Sequence, residues 1–196
     1  YSSSGISGLG NEAVTITDTP SITELNNIAA QTTGVVTATL ASNSIANLAS
    51  LATAATDQIT IIINDVDATS ITATDLSTLG GKTTGTVTVT NAVAITGDHD
   101  QLTAALVTES TKVAVSDATV IINDADATSI TATELSAIWA ATTGTVTVTN
   151  AVNISGTTNE ITAALGDIKG SHVELNDATV TFNDTPTIAE LNVIAS

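Results

Sequence analysis

The sequence predicts an α/β fold, a β/α solenoid of stacked strand-helix repeats with a parallel sheet, and three observations predict it. First, TVTVTNAVAITG at 86–97 returns as TVTVTNAVNISG at 145–156, and NDVDATSITATDLS from Asn64 returns as NDADATSITATELS from Asn123, both shifted by 59 positions. Self-similarity at a long fixed period marks units that bury their apolar faces only by stacking on neighbours. Second, strand patterns alternate with short helical patterns through short links, an order normally closed by right-handed parallel crossovers. Third, Val, Ile, Leu and Ala supply nearly all the apolar content, with only Tyr1, Trp139 and Phe182 as aromatics, which suits thin aliphatic layers.

Two kinds of segment alternate along the chain. The first is an apolar strand, an Asn/Asp corner and a short helix: VTITDTPSITELNNIAA from Val14, IIINDVDATSITATDLSTL from Ile61, VIINDADATSITATELSAIWAA from Val120 and VTFNDTPTIAELNVIA from Val180. The second opens with VVTATL at Val35 or TVTVT at Thr86 and Thr145 and leads to helices expected around 45–55, 101–106 and 161–168. Thr86 to Thr90 alternate strictly, placing valines on one face and threonines on the other. Ile61–Ile63 and Val120–Ile122 are continuous β-branched runs, as in a parallel sheet covered on both faces.

Six of the expected helix starts carry a capping box, a Ser, Thr or Asp followed three residues later by Glu, Gln or Asp. The pairs are Ser21/Glu24, Thr72/Asp75, Asp98/Gln101, Thr131/Glu134, Thr157/Glu160 and Thr187/Glu190. Leu25, Ile28 and Ala29, or Leu135, Ile138 and Trp139, then follow at helical spacing and predict one narrow buried stripe. TTG sequences ending in Gly34, Gly85 and Gly144 are expected to terminate helices through a left-handed cap. The connections 107–116 and 166–176 vary most between copies and are expected to project from an edge.

The whole chain, 1–196, reads as one elongated repeat domain with approximate units 1–34, 35–58, 59–85, 86–116, 117–144, 145–176 and 177–196. One unit of 25 to 30 residues per turn is preferred over the alternative, a two-faced parallel β-solenoid with short helices in which the 59-residue pair makes one turn. Residues 1–30 align with 167–196, and neither end resembles a capping repeat, so the expectation is part of a longer array or a subunit that self-associates through stacked repeat ends.

The net charge of −17, with Lys82, Lys112 and Lys169 as the only strong bases, argues against nucleic acid and anionic membrane surfaces. Membrane insertion is not expected, since no apolar run has the length of a span, and the lack of Cys removes disulfide and thiolate chemistry. Catalytic material is scant. His99 and His172 fall in non-equivalent connections and read as solvated loop residues, and neither a nucleophile elbow nor a phosphate loop is present, GISGLG having the wrong spacing. No catalytic residue and no cofactor are assigned.

The Asp corners are the one candidate metal site. Asn64, Asp65 and Asp67 recur as Asn123, Asp124 and Asp126, with Asp18 and Asp184 in the matching outer places, and oxygen-rich turns are what calcium selects. Against this, the DxDxDG and GGxGxD patterns are absent, and Asp ahead of a helix is an ordinary turn and cap residue. Asn91 and Asn150 share a phase at which side chains can bond the backbone of an adjacent unit, and Trp139, which replaces Gly80 of the preceding copy, reads as core filler or a helix contact.

GISGLGNEAVTITDT at 5–19, LSTLGGKTTGTVTVT at 76–90 and ITGDHDQLTAAL at 95–106 resemble the degenerate repeats of very large secreted or cell-surface proteins of marine cyanobacteria and related bacteria. The resemblance covers nearly the whole chain. It implies an extracellular, array-forming bacterial structural protein and transfers no functional residues. The expected function is a non-enzymatic scaffold, a segment of a surface fibre, sheath or adhesin. The alternatives are a calcium-stiffened binding or adhesion module, and a Thr-rich ice- or carbohydrate-binding surface with surface glycans as partners. The last requires uninterrupted ranks of Thr86, Thr88 and Thr90 over Thr145, Thr147 and Thr149.

Overall fold

The computed structural model describes residues 8–165 and 173–194. His172, Lys169, Tyr1, the first half of GISGLG and the 166–172 part of the second variable connection lie outside them. Strands and helices alternate, every strand pairing is parallel, and the fold is mixed α/β.

The first two units each hold one strand and one helix: β1 (Val14–Thr15) with α1 (Ile22–Ala29), then β2 (Val36–Thr39) with α2 (Ile45–Leu48). The next four hold two strands each. These are β3 (Gln58–Ile63), β4 (Ser70–Thr72) and α3 (Ala73–Gly80), then β5 (Val87–Val89), β6 (Ala94–Gly97) and α4 (His99–Leu106). They are followed by β7 (Thr119–Ile122), β8 (Ser129–Thr131) and α5 (Ala132–Trp139), then β9 (Val146–Val148), β10 (Asn153–Gly156) and α6 (Thr158–Leu165). β11 (Val173–Leu175) lies between α6 and the last described unit, which comprises β12 (Thr179–Phe182) and α7 (Ile188–Ile194). Strands β4, β6, β8 and β10 have only three or four residues, too few to show a period. No strand is therefore legible at these places in the sequence pattern.

Paired residues lie 21 to 27 positions apart, from Thr37 against Gln58 to Val146 against Val173, so each unit pairs with the next one along the chain. Two such steps use 49 residues from Ser70 through Ala94 to Thr119, ten fewer than the 59-residue sequence period. The excess shifts the ladder by one strand place. β6, the second strand of its unit, pairs on one side with the second strand β4 and on the other with the first strand β7, giving the order β11-β9-β7-β6-β4. The shift also interrupts the threonine ranks. Across that sheet the outward row reads Thr72, Thr96, Ile121, Thr147, Glu174, and Thr88 sits between Ile62 and Ala114.

Inward residues make one continuous aliphatic core in which Ile61, Ile63, Ile95, Val120, Ile122, Val146, Val148 and Ile154 face Leu76, Leu102, Leu135 and Ile161 from the helices. All six capping pairs form. Five are reciprocal. In the sixth, Thr72 accepts from the Asp75 N–H at 3.1 Å while the Asp75 carboxylate, one methylene shorter than Glu, takes the Thr72 hydroxyl instead of the backbone N–H. Trp139 is partly buried against the core; at Gly80, the same phase one copy earlier, a Cβ would overlap the Thr111 carbonyl.

Two local expectations are corrected. Helices α1, α3 and α5 end on Ala30, Gly81 and Ala140 in right-handed conformation, and Gly34, Gly85 and Gly144 do not have positive φ. These glycines are needed for close approach instead. A Cβ would collide with the carbonyls of Glu12, Ile59 and Ala118, one pairing step earlier in the chain. The connection 107–116 does not project: the Thr111 hydroxyl donates to the Ala104 carbonyl at 2.5 Å, Val113 is buried, and Ala114 bridges to Thr88.

The DVDA and DADA turns place Ala68 and Ala127 in the left-handed region, at φ of 61° and 62°. A Cβ there is disfavoured by about 1 kcal/mol or more. Ala127→Gly is therefore expected to stabilise the chain by about 0.5 kcal/mol after the extra entropy of glycine in the unfolded state, measured as the shift of a urea midpoint followed by Trp139 fluorescence.

Candidate functional site

Three corner Asp residues reach out of their own units. Asp65 Oδ2 accepts the Ile45 N–H at 2.7 Å, Asp124 Oδ2 accepts the His99 N–H at 2.8 Å, and Asp184 Oδ1 accepts the Thr158 N–H at 2.8 Å. Ile45, His99 and Thr158 are the first residues of α2, α4 and α6, whose early N–H groups have no partner within the helix. The carboxylates thus act as helix caps supplied by the following unit, on the positive end of the helix dipole. The second corner Asp points the other way. Asp67 and Asp126 accept the N–H of Ala92 and Ala151 in the next unit, both at 3.1 Å. Asn91 and Asn150 complete the junction, donating to the carbonyls of Asp65 at 2.7 Å and Asp124 at 2.6 Å.

The calcium candidates Asp65, Asp67, Asp124 and Asp126 are therefore not gathered around one point. Within each pair one carboxylate bonds the preceding unit and the other the following unit. No group of three or more His, Cys, Asp or Glu side chains capable of holding a metal ion occurs among the described residues.

His99 is not a solvated loop residue. It opens α4, its Nδ1 lies 2.7 Å from Asp124 Oδ1, and its Nε2 lies 3.5 Å from Asp100 Oδ1. Burial works against its charged form, but the hydrogen bond to Asp124, then the charges of Asp124, Asp100 and Glu134, outweigh it and raise the imidazole above its ordinary 6.5. The capping glutamates shift the opposite way. The Ser21 N–H and hydroxyl hold Glu24 down at about 2, and the same donors of Thr131, Thr157 and Thr187 lower Glu134, Glu160 and Glu190.

A raised imidazole stabilises the fold fully below pH 6.5, and that contribution is lost as pH rises through the folded value. The glutamates contribute fully above their ordinary 4.5 and lose this as pH falls through their lowered values. Subtracting the urea-derived stability of His99→Asn from that of the parent is expected to give a positive difference at pH 5.5 that shrinks toward pH 9. A difference constant across that range would rule out the ionised Asp124 contact.

Two junction residues, Asp57 and Lys82, carry no repeated sequence signal, whereas Thr83 and Thr142 recur at the 59-residue period. Asp57 is buried and accepts the N–H groups of Val36 and Ala54, both at 2.8 Å, yet Ser116 stands 59 places on. Buried Thr83 accepts the Ile59 N–H at 2.7 Å and the Gly85 N–H at 2.8 Å, and Thr142 donates to the Ala118 carbonyl at 2.6 Å. Lys82 Nζ donates to the carbonyls of Ala49 and Leu51, beyond the last turn of α2, at 3.0 and 2.6 Å. Beside it, the four-residue α2 leaves a groove of about 220 Å³ over Ile45, Ala49 and Leu79.

No helix of the described residues is long and apolar enough to cross a membrane. No protein-family model, curated protein or solved structure matches the chain.

Proposed function

We propose that the chain is a β/α solenoid segment serving as a non-enzymatic structural scaffold, part of a bacterial fibre, sheath or adhesin outside the cell or on its surface. One observation carries this reading. The polar side chains that recur with the repeat at the corners, namely Asp65 and Asp124, Asp67 and Asp126, and Asn91 and Asn150, each bond the backbone of a neighbouring unit. Groups that in an enzyme would converge on a substrate are here spent on joining units. Its partners on this reading are units of its own kind stacked on the repeat ends.

A repeat array tolerates whole-period insertion because each unit contacts only its neighbours. Inserting a second copy of residues 64–122 after Ile122 is expected to keep the chain folded and cooperative. It should add two strand spacings, about 10 Å, to the longest dimension in solution scattering. An inserted chain that unfolds, or folds without lengthening, would exclude the stacked architecture and the scaffold reading with it.

A further inference from the structure

The steps between two-strand units are not alike. Units 59–85 and 86–116 are tied by two ladders, β3–β5 and β4–β6, and units 117–144 and 145–176 by two more, β7–β9 and β8–β10. Between 86–116 and 117–144 the sheet shifts by one place, and a single ladder, β6–β7, spans the step. The edge of β5 that this shift leaves over meets only the isolated bridge from Thr88 to Ala114, and β8 begins a new sheet, paired with β10 alone. This step therefore has half the ladders of the steps on either side of it.

The same step carries an ionic contact. Its capping carboxylate, Asp124, faces a histidine, whereas Asp65 and Asp184 face Ile45 and Thr158. Asp124 Oδ1 lies 2.7 Å from His99 Nδ1, the two side chains are 5% and 13% exposed, and among the described residues no other charge pair joins two units. The remaining charges on the elements packed around His99 are acidic: Asp98 and Asp100 on α4 itself, Glu134 in the first turn of α5, and Asp75 in the first turn of α3. The lysines of the described residues are engaged elsewhere, Lys82 with the carbonyls of Ala49 and Leu51 and Lys112 with Glu109. A neutral imidazole still offers an N–H to Asp124, but the buried carboxylate then has no counter-charge and stands among like charges, an unfavourable arrangement.

We propose that the step from α4 to α5 is a pH-sensitive hinge within the chain, held closed by protonated His99 on Asp124 and loosened when that proton leaves. It rests on the pairing of these two units and does not require the scaffold role. The direction follows from the site. His99 is raised above its ordinary 6.5, so the hinge is held fully below pH 6.5 and loosens as pH rises through the folded value. The loosening is local, because the neighbouring steps keep two ladders each and their caps, at Ile45 and Thr158, contain no group that titrates in this range.

The test is amide exchange of the full chain at pH 5.5 and pH 9, corrected for the intrinsic pH dependence of exchange. The reporters are the His99 N–H under Asp124 and the Thr119 and Asn123 N–H groups, which donate across the step to the carbonyls of Val93 and Gly97. Their protection is expected to fall roughly fivefold or more from the lower pH to the higher, while that of the Ile45 and Thr158 amides stays constant. His99→Ile, which copies the residue at the α2 cap, should remove the response. Ile45→His opposite Asp65 leaves the hinge itself untouched and should bring a response to the α2 cap. An equal fall at all three caps would make the opening global and overturn the hinge, with the stacking of units left standing. A fall that persists in His99→Ile, or no response at either histidine, overturns the imidazole as its control.

Discussion

Asp124→Ala is expected to lower the unfolding free energy by about 3 kcal/mol, the largest loss of any single corner residue. Asp124 is 5% exposed, and its two oxygens hold the His99 N–H and the His99 ring. Truncation removes a helix cap, at about 1 kcal/mol, and leaves a buried donor without its charged acceptor, at about 2 kcal/mol more. In a chain of this size that corresponds to roughly 6 to 12 °C in Tm. Asp124→Asn keeps an oxygen in place and is expected to cost about 1 kcal/mol. The control is EDTA. A cap acts without metal, so the parent and both variants should melt at the same temperatures with and without chelator; a chelator-dependent melt of the parent that Asp124→Ala abolishes would restore calcium to the corner.

The corner shows where sequence reading reached and where it stopped. Capping boxes are local: both partners lie within four residues, so Ser21/Glu24 or Thr131/Glu134 could be read off and were found in place. Asn91 and Asn150 were legible because their shared phase implied a neighbour at the same height. Asp65 and Asp124 carried the same periodic signal, but a periodic Asp looks alike whether it turns its own chain, binds a cation or caps a helix twenty residues earlier. Only the register decides, and the register depends on the mismatch between 59 residues of sequence and about 50 residues of strand pairing, which no local pattern encodes. Asp57 was invisible for the opposite reason. Its role is buried and inter-unit, but Ser116 at the matching place breaks the period that would have drawn the eye.

The TTG glycines allow the sharpest separation of two physical causes. If Gly85 served as a left-handed cap, Asn would be the best-tolerated replacement and Ala the poorer one. The structure assigns it instead to close approach: φ is not positive, and an added Cβ meets the carbonyl oxygen and carbon of Ile59, which are backbone atoms fixed in β3. Any side chain must then push the TTG segment off the preceding unit. That movement strains the contacts from Thr83 to the Ile59 N–H at 2.7 Å and from the Thr84 N–H to the Asp57 carbonyl at 2.7 Å, and it loosens the packing over fully buried Ile59. Gly85→Ala and Gly85→Asn are therefore expected to destabilise alike, by about 3 kcal/mol, the upper range for overpacking against atoms that cannot rotate away. Urea melts give the size of the loss, and hydrogen exchange gives its place, with the amides of Ile59, Thr84 and Gly85 losing protection ahead of those in β9 and β10. Asn tolerated clearly better than Ala at Gly85 would return the glycine to its capping role and detach it from the junction between units.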